Sequence, residues 1–127
     1  MYFLKIFLLK DCPYCISTKE LLKNIKNLNI IDVDNNEKEK YKTKLISTFP
    51  QIYLKKDNSK GSLLLGGYSD LKFVLDLLNK ENDIKIIQNK FKKKYKSWSK
   101  KAILRLVQIL TIKNNIIILI HSYFLSL

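Results

Sequence analysis

Hydrophobic and polar positions alternate along this chain in a way that changes character several times. Tyr2 to Leu9 is apolar except for Lys5, which predicts a strand buried on both faces, as in a parallel sheet. After Cys12-Pro13-Tyr14-Cys15, residues Ile16, Leu21, Leu22, Ile25 and Leu28 recur at roughly helical spacing, with Lys19, Glu20, Lys23 and Lys26 between them. This predicts a helix starting at Cys12 and stopping near Asn27 to Asn29. Ile30, Ile31 and Val33 predict a second strand, parallel to the first through a right-handed crossover. A lysine-rich helix is expected over Glu37 to Ile46, capped by Asn35 or Asn36, with Tyr41, Leu45 and Ile46 buried. Ile52–Leu54 and Leu63–Leu65 predict a hairpin around a polar, exposed loop at 55–62. Leu71, Val74, Leu75 and Leu78 predict a helix over Ser69–Asn79.

Beyond residue 80 the pattern shifts again. Ile84, Ile86 and Ile87 open a helix or a short strand. The run 90–101 is basic, and Phe91, Tyr95 and Trp98 within it are spaced four and three apart. That spacing favours one buried stripe on a helix over aromatics presented to nucleic-acid bases. Ala102–Ile112 predicts a further amphipathic helix with Ile103, Leu106, Val107 and Leu110 on one face, capped by Ser97 or Ser99. Ile116–Leu127 is mostly apolar but shorter than the roughly twenty residues that span a bilayer, so a buried terminal element is expected and no transmembrane span. His121 is read as structural.

Length and charge refine this picture. At 127 residues the chain can bury a sizeable core. Its formal net charge is +13, unevenly spread. Residues 1–80 hold 14 lysines against 9 acids, whereas residues 81–127 hold ten cations against Glu81 and Asp83. Lysine outnumbers arginine by 23 to 1, a bias that weakens the reading of any single lysine. The expected division is therefore a first domain at 1–80 and a basic, then apolar, extension at 81–127.

Cysteine usage carries the chemistry. Two cysteines are too few for a stapled secreted scaffold, and no signal-peptide pattern opens the chain. A reducing cytoplasm with a catalytic pair is the simpler reading. C-x-x-C is also half of a zinc site, but zinc takes about four ligands and the only other soft candidate is His121, so no metal is expected. Cys12 at a helix N-terminus, followed by Pro13 in the first turn, suits a redox pair. Unpaired N–H groups and the helix dipole there favour the thiolate, the attacking form. Cys12 is thus the expected exposed nucleophile and Cys15 the less exposed resolving thiol.

Cys12-Pro13-Tyr14-Cys15, Thr48-Phe49-Pro50-Gln51-Ile52-Tyr53 and Gly66-Gly67-Tyr68-Ser69-Asp70-Leu71, in that order, make residues 1–80 resemble a dithiol glutaredoxin. The resemblance implies a thioredoxin-like α/β fold: a four-stranded mixed sheet flanked by helices, here with a helical C-terminal extension. It implies a glutathione-dependent thiol–disulfide oxidoreductase acting on protein disulfides and glutathionylated thiols, with glutathione as cosubstrate. By the same resemblance Pro50 is cis and faces the active cysteine, and the backbone of Phe49 pairs with glutathione by strand addition. Tyr14 and Thr48 line the groove. Tyr68, Ser69 and Asp70 hold the γ-glutamyl end, and Gly66 and Gly67 let the ligand approach the backbone. Glutaredoxins usually carry a lysine three residues before the first cysteine. Lys10 lies two before Cys12, with the glycyl carboxylate or the thiolate as its expected partner.

Three other readings fit parts of the sequence: a thioredoxin-like redoxin served by a flavoprotein reductase, a redox-regulated module binding nucleic acid or membrane through its basic extension, and an iron–sulfur carrier bridging two subunits through Cys12. Thr48, Gly67 and Asp70 favour glutathione, and Pro13 with a complete dithiol disfavours the cluster. A monomer is expected. The composition and extension also resemble glutaredoxins of large DNA viruses, for which the compartment would be host cytoplasm or virion.

Overall fold

Strand β1 (Tyr2–Leu9) lies inside a four-stranded sheet of order β2-β1-β3-β4. The computed structural model describes residues 1–111; the expectations for Ile116–Leu127 and His121 lie outside them. β1 pairs in parallel with β2 (Leu28–Val33), from Leu4 opposite Leu28 to Leu9 opposite Val33. On its other side it pairs antiparallel with β3 (Gln51–Lys56), Ile6 opposite Ile52. β3 continues antiparallel into β4 (Ser62–Gly66), with an irregularity between Ile52 and Tyr53. This is the mixed sheet expected from the sequence.

β1 is not uniformly buried. Leu4, Ile6 and Leu8 are buried, while Phe3, Lys5, Phe7 and Leu9 on the alternate face are half-buried. The expected Glu37–Ile46 helix explains the difference, because it does not form. A 3₁₀ helix occupies Asn35–Tyr41 instead, and Asp34, not Asn35 or Asn36, is the preceding cap residue. None of its residues is fully buried, so no apolar stripe holds a longer helix in place. Leu45 is 81% exposed. The chain around it turns on Thr43, whose Oγ1 accepts from the N–H groups of Leu45 and Ile46. Tyr41 lies against the second face, its ring 5.0 Å from Phe7.

Helix α1 runs Pro13–Leu21, shorter than expected. Its buried positions are Cys15 and Thr18, followed by Leu22 at the C-cap. Ile16 is 66% exposed, so the apparent Ile16–Leu21 stripe is not the packed one. Leu28, read as the helix's last apolar position, instead opens β2.

The chain forms two compact units, Met1–Lys72 and Phe73–Leu127. Helix α2 (Tyr68–Lys80) crosses from the first to the second. The core of the first unit contains Leu4, Ile6, Leu8, Leu22, Ile52, Leu54, Leu65 and Leu71, each at most 4% exposed.

The second unit contains helices α3 (Ile84–Lys94) and α4 (Lys100–Leu110). Phe91, Tyr95 and Trp98 are buried, as their spacing predicts, but not along one helix. α3 ends at Lys94, Tyr95 is its C-cap, and Trp98 sits in the following turn. The three rings meet at centroid distances of 4.5, 5.2 and 5.4 Å. The Lys92 ammonium donates to the Trp98 carbonyl and ties down that turn. Ser99 caps α4 by accepting from the Ala102 N–H at 3.1 Å, and Ile103, Leu106, Val107 and Leu110 are buried. No helix of the described residues is long and apolar enough to cross a membrane.

Candidate active site

The parallel end of β1 delivers the motif through a tight turn. The Lys10 N–H donates to the Val33 carbonyl, and Asp11 takes a left-handed conformation with φ 59°. Asp tolerates that region better than most residues. Cys12 is then extended (φ −99°, ψ 117°) and caps α1, with Pro13 in the first turn. The Cys12 sulfur accepts the Cys15 N–H at 3.3 Å. Here a sulfur does what a serine or aspartate oxygen does at other helix starts.

Both cysteines are free thiols. Cys12 is partly exposed, whereas Cys15 is 2% exposed. The Cys15 sulfur accepts a hydrogen bond from the Leu9 N–H at 3.3 Å. Burial pushes the Cys15 thiol up to about 12, with the Cys12 side chain adding to the rise by hydrogen bonding and charge, and the Leu9 N–H opposing it. The two sulfurs thus occupy different environments one helical turn apart. Thr18, fully buried, secures that turn by donating to the Tyr14 carbonyl at 2.7 Å.

Two further segments of the first unit meet this turn. The Cys12 thiol faces the Phe49 carbonyl oxygen at 3.8 Å, and the Phe49–Pro50 peptide bond is cis. A side chain at Gly67 would lie 3.5 Å from the Pro50 carbonyl oxygen, so the two backbones run close. The Tyr14 ring, 61% exposed, lies 5.4 Å from that of Tyr68. Asp70 accepts the Gly67 N–H at 2.8 Å through Oδ2 and so folds back over the glycine pair. Only Gly66 of the two glycines has positive φ (+131°), and its missing side chain leaves the space that Asp70 fills.

The structure therefore gathers Cys12, Cys15, Phe49, Pro50, Gly67 and Asp70, with Tyr14 and Tyr68 paired beside the motif. Lys10, Thr48 and Ser69 are exposed. Their side chains make no hydrogen bond or ion pair among the described residues.

Sequence reasoning missed Gln51. It is 1% exposed, its Nε2 donates to the Tyr41 carbonyl at 2.9 Å, and its Oε1 accepts from the Tyr53 hydroxyl at 3.3 Å. The amide thus pins both ends of the segment 42–50 that carries Phe49 and Pro50. A polar side chain beside the proline and ahead of an apolar strand was the available signal, since a buried amide is kept only when it is bonded. No group of three His, Cys, Asp or Glu residues that could hold a metal occurs among the described residues.

Comparison with known proteins places this geometry in context. No curated protein matches the chain. Among solved structures, a crystal structure of glutaredoxin 1 from Francisella tularensis complexed with cacodylate aligns at 25% identity and a TM-score of 0.48, covering 64% of this chain and all of that one. The family model for glutaredoxin matches residues 1–58, the stretch holding β1, the Cys12–Cys15 motif, cis-Pro50 and all of β3. The chain has the thioredoxin-like fold of glutaredoxins, a four-stranded mixed sheet with flanking helices, to which additional C-terminal helices are joined.

Proposed function

We propose that this protein is a glutathione-dependent thiol–disulfide oxidoreductase of the glutaredoxin type, its chemistry housed in residues 1–80. The observation that carries the reading is the asymmetry of the two thiols: Cys12 partly exposed at the helix start, its sulfur accepting the Cys15 N–H, and Cys15 buried behind it. An N–H aimed at the Cys12 sulfur stabilises negative charge whenever it gathers there, both as the sulfur attacks and as it later leaves.

The steps follow from these positions. The Cys12 thiolate attacks the glutathione sulfur of a mixed disulfide, a Cys12–glutathione disulfide forms, and the substrate thiolate leaves and takes a proton. A second glutathione thiolate then attacks the bound glutathione sulfur. Oxidised glutathione departs and the Cys12 thiolate returns. With a protein disulfide, Cys12 forms a mixed disulfide with one substrate sulfur. Cys15 then attacks the Cys12 sulfur and expels the substrate thiol. Cys15 must give up its proton during this attack, because its burial keeps it a thiol at neutral pH. The departing substrate thiolate is the natural acceptor. Two glutathione molecules reduce the resulting Cys12–Cys15 disulfide, and two electrons pass in all.

For glutathione itself, the backbone of Phe49 offers N–H and C=O groups to an extended peptide, beside Thr48 and Pro50. Tyr14 and Tyr68 give an aromatic wall. Gly67, Ser69 and Asp70 supply the γ-glutamyl site, with the Asp70 carboxylate as the acceptor for its ammonium group. Lys10 is assigned to the glycyl carboxylate.

The test is reduction of a glutathione mixed disulfide, coupled to glutathione reductase, by wild type, Cys12→Ser and Cys15→Ser. Activity in wild type and Cys15→Ser, with none in Cys12→Ser, is the expected result. Reduction by thioredoxin reductase but not by glutathione would sink the glutathione site and leave the dithiol chemistry standing.

A further inference from the structure

From Ile84 onward the sequence contains no aspartate or glutamate. Within the described part of that stretch, Lys85, Lys90, Lys93, Lys96, Lys100 and Lys101 are all exposed, and none forms an ion pair among the described residues. Lysine bias alone does not produce this. The first unit is also lysine-rich, yet it holds 13 lysines against 8 acids, and Lys23, Lys40 and Lys42 there are paired with Glu20, Glu37 and Glu39. A bias toward lysine raises the number of cations; it does not remove acids from one region.

Helix stability accounts for only part of the charge. Lysines in the last turn of α3 complement the negative end of that helix. Lys100 and Lys101 open α4, whose first turn has no acid, and there they oppose the dipole. Their placement costs stability in the free protein, and an external anion would offset that cost.

The form of the surface selects the partner. The aromatics of the run are stacked on one another inside the unit, so they are not offered to bases. The apolar residues Ile87, Phe91, Ile103, Leu106, Val107 and Leu110 are buried as well. A helix that lies in a membrane interface needs such residues exposed opposite its charges. Here the exposed large apolar side chains of this unit, among the described residues, are Phe73 at 37% and Ile86 at 38%. What remains among the described residues is an array of flexible point charges, with no means of reading bases and no wedge for lipid. We propose that the α3–α4 surface binds the phosphate backbone of a nucleic acid without base specificity, through Lys90, Lys93, Lys96, Lys100 and Lys101. Each contact neutralises a phosphate and releases counterions, so affinity comes from charge and falls steeply with salt.

The test uses the full chain and a fluorescein-labelled 20-base-pair DNA duplex, with anisotropy read from 50 to 200 mM salt. With about four phosphates neutralised, affinity falls roughly 100-fold across that range and is the same for duplexes of different sequence. The variant K90E/K93E/K100E/K101E loses at least tenfold at 50 mM, and K93Q/K96Q loses less and flattens the salt slope. Unchanged emission from the buried Trp98 shows that each variant keeps its fold. K26E/K60E, in the first unit, binds as wild type does. The proposal is overturned if the duplex is not bound at 50 mM salt, if K26E/K60E weakens binding as much as the α3–α4 variants, or if affinity depends on sequence. It is overturned too if phosphatidylserine vesicles are bound and the duplex is not.

Discussion

The backbone N–H of Cys15 donates to the sulfur of Cys12 at 3.3 Å, while the sulfur of Cys15 accepts from Leu9 at the same distance. One residue thus supports the nucleophile through its main chain and withholds its own side chain from solvent. In the reduced protein, iodoacetamide at neutral pH is expected to label Cys12 and leave Cys15 unmodified, as read by mass spectrometry of the digested chain. Equal labelling of both in the folded protein would contradict the assigned roles.

The position of the Cys15 titration is a second expected outcome. Its ordinary value of 9.0 is raised to about 12, first by burial and then by the hydrogen bond and charge of Cys12. Cys12→Ser removes the neighbouring charge but not the burial. Cys15 in that variant should therefore titrate below wild type and still above 9.0, followed through the ¹³Cβ shift of labelled cysteine. The folded state favours the protonated thiol. Its contribution to stability is complete below the ordinary value and is lost as pH rises through about 12.

Gly66 and Asp70 form a fitted pair. A methyl group at residue 66 would lie 2.1 Å from Asp70 Oδ2, and its backbone sits at φ +131°. Gly66→Ala should cost about 1–3 kcal/mol from backbone strain and also displace the carboxylate from the Gly67 N–H. Adding Asp70→Ala removes the carboxylate but leaves the Cβ of residue 70 at 2.8 Å from the new methyl, and leaves the strain. The double variant should then recover only part of the lost stability in urea unfolding; full recovery would show that the backbone conformation carries no cost.

Gln51→Leu keeps the volume and removes both hydrogen bonds of the amide. The Tyr41 carbonyl loses its partner, at a cost of about 1–3 kcal/mol. Because the amide pins segment 42–50, turnover of a glutathione mixed disulfide should fall through a higher KM for glutathione, while Cys12 remains open to alkylation. A variant with wild-type KM would limit Gln51 to a structural role.

The buried Trp98 gives the second unit its own probe. Trp98→Ala opens a cavity among Phe91 and Tyr95, and is expected to destabilise that unit by about 3–5 kcal/mol. Near-ultraviolet circular dichroism of the aromatic cluster is the measure.

Some of this molecule can be read directly from its residues. Tyr2–Leu9, Ile52–Leu54 and Leu63–Leu65 are apolar runs bounded by turn residues, and they are strands. Cys12 and Pro13 mark the start of α1 because a cap and a first-turn proline are local matters. The misses are tertiary. Ile16 and Leu21 suggested the inner face of α1, but the packed positions are Cys15, Thr18 and Leu22, two of them not obviously apolar. Glu37–Ile46 has good helix formers and favourable charges, yet its few large apolar residues do not fix a face, so only a 3₁₀ segment forms. Phe91, Tyr95 and Trp98 were correctly paired by spacing and wrongly placed on one helix, since three aromatics can meet equally well around a turn. In the site, glycine, proline and cysteine announced themselves through backbone demands. Gln51 did not, because its role depends on a carbonyl ten residues away.

The bond from Leu9 to the Cys15 sulfur joins the last residue of the central strand to the buried half of the dithiol. When Cys15 turns to Cys12 to close a disulfide, its electron density is redirected and the strand loses that acceptor in its present form. The amide proton of Leu9 is therefore a native reporter of oxidation state: its exchange with deuterium and its proton shift should separate the reduced from the oxidised protein, with no label added and no residue replaced.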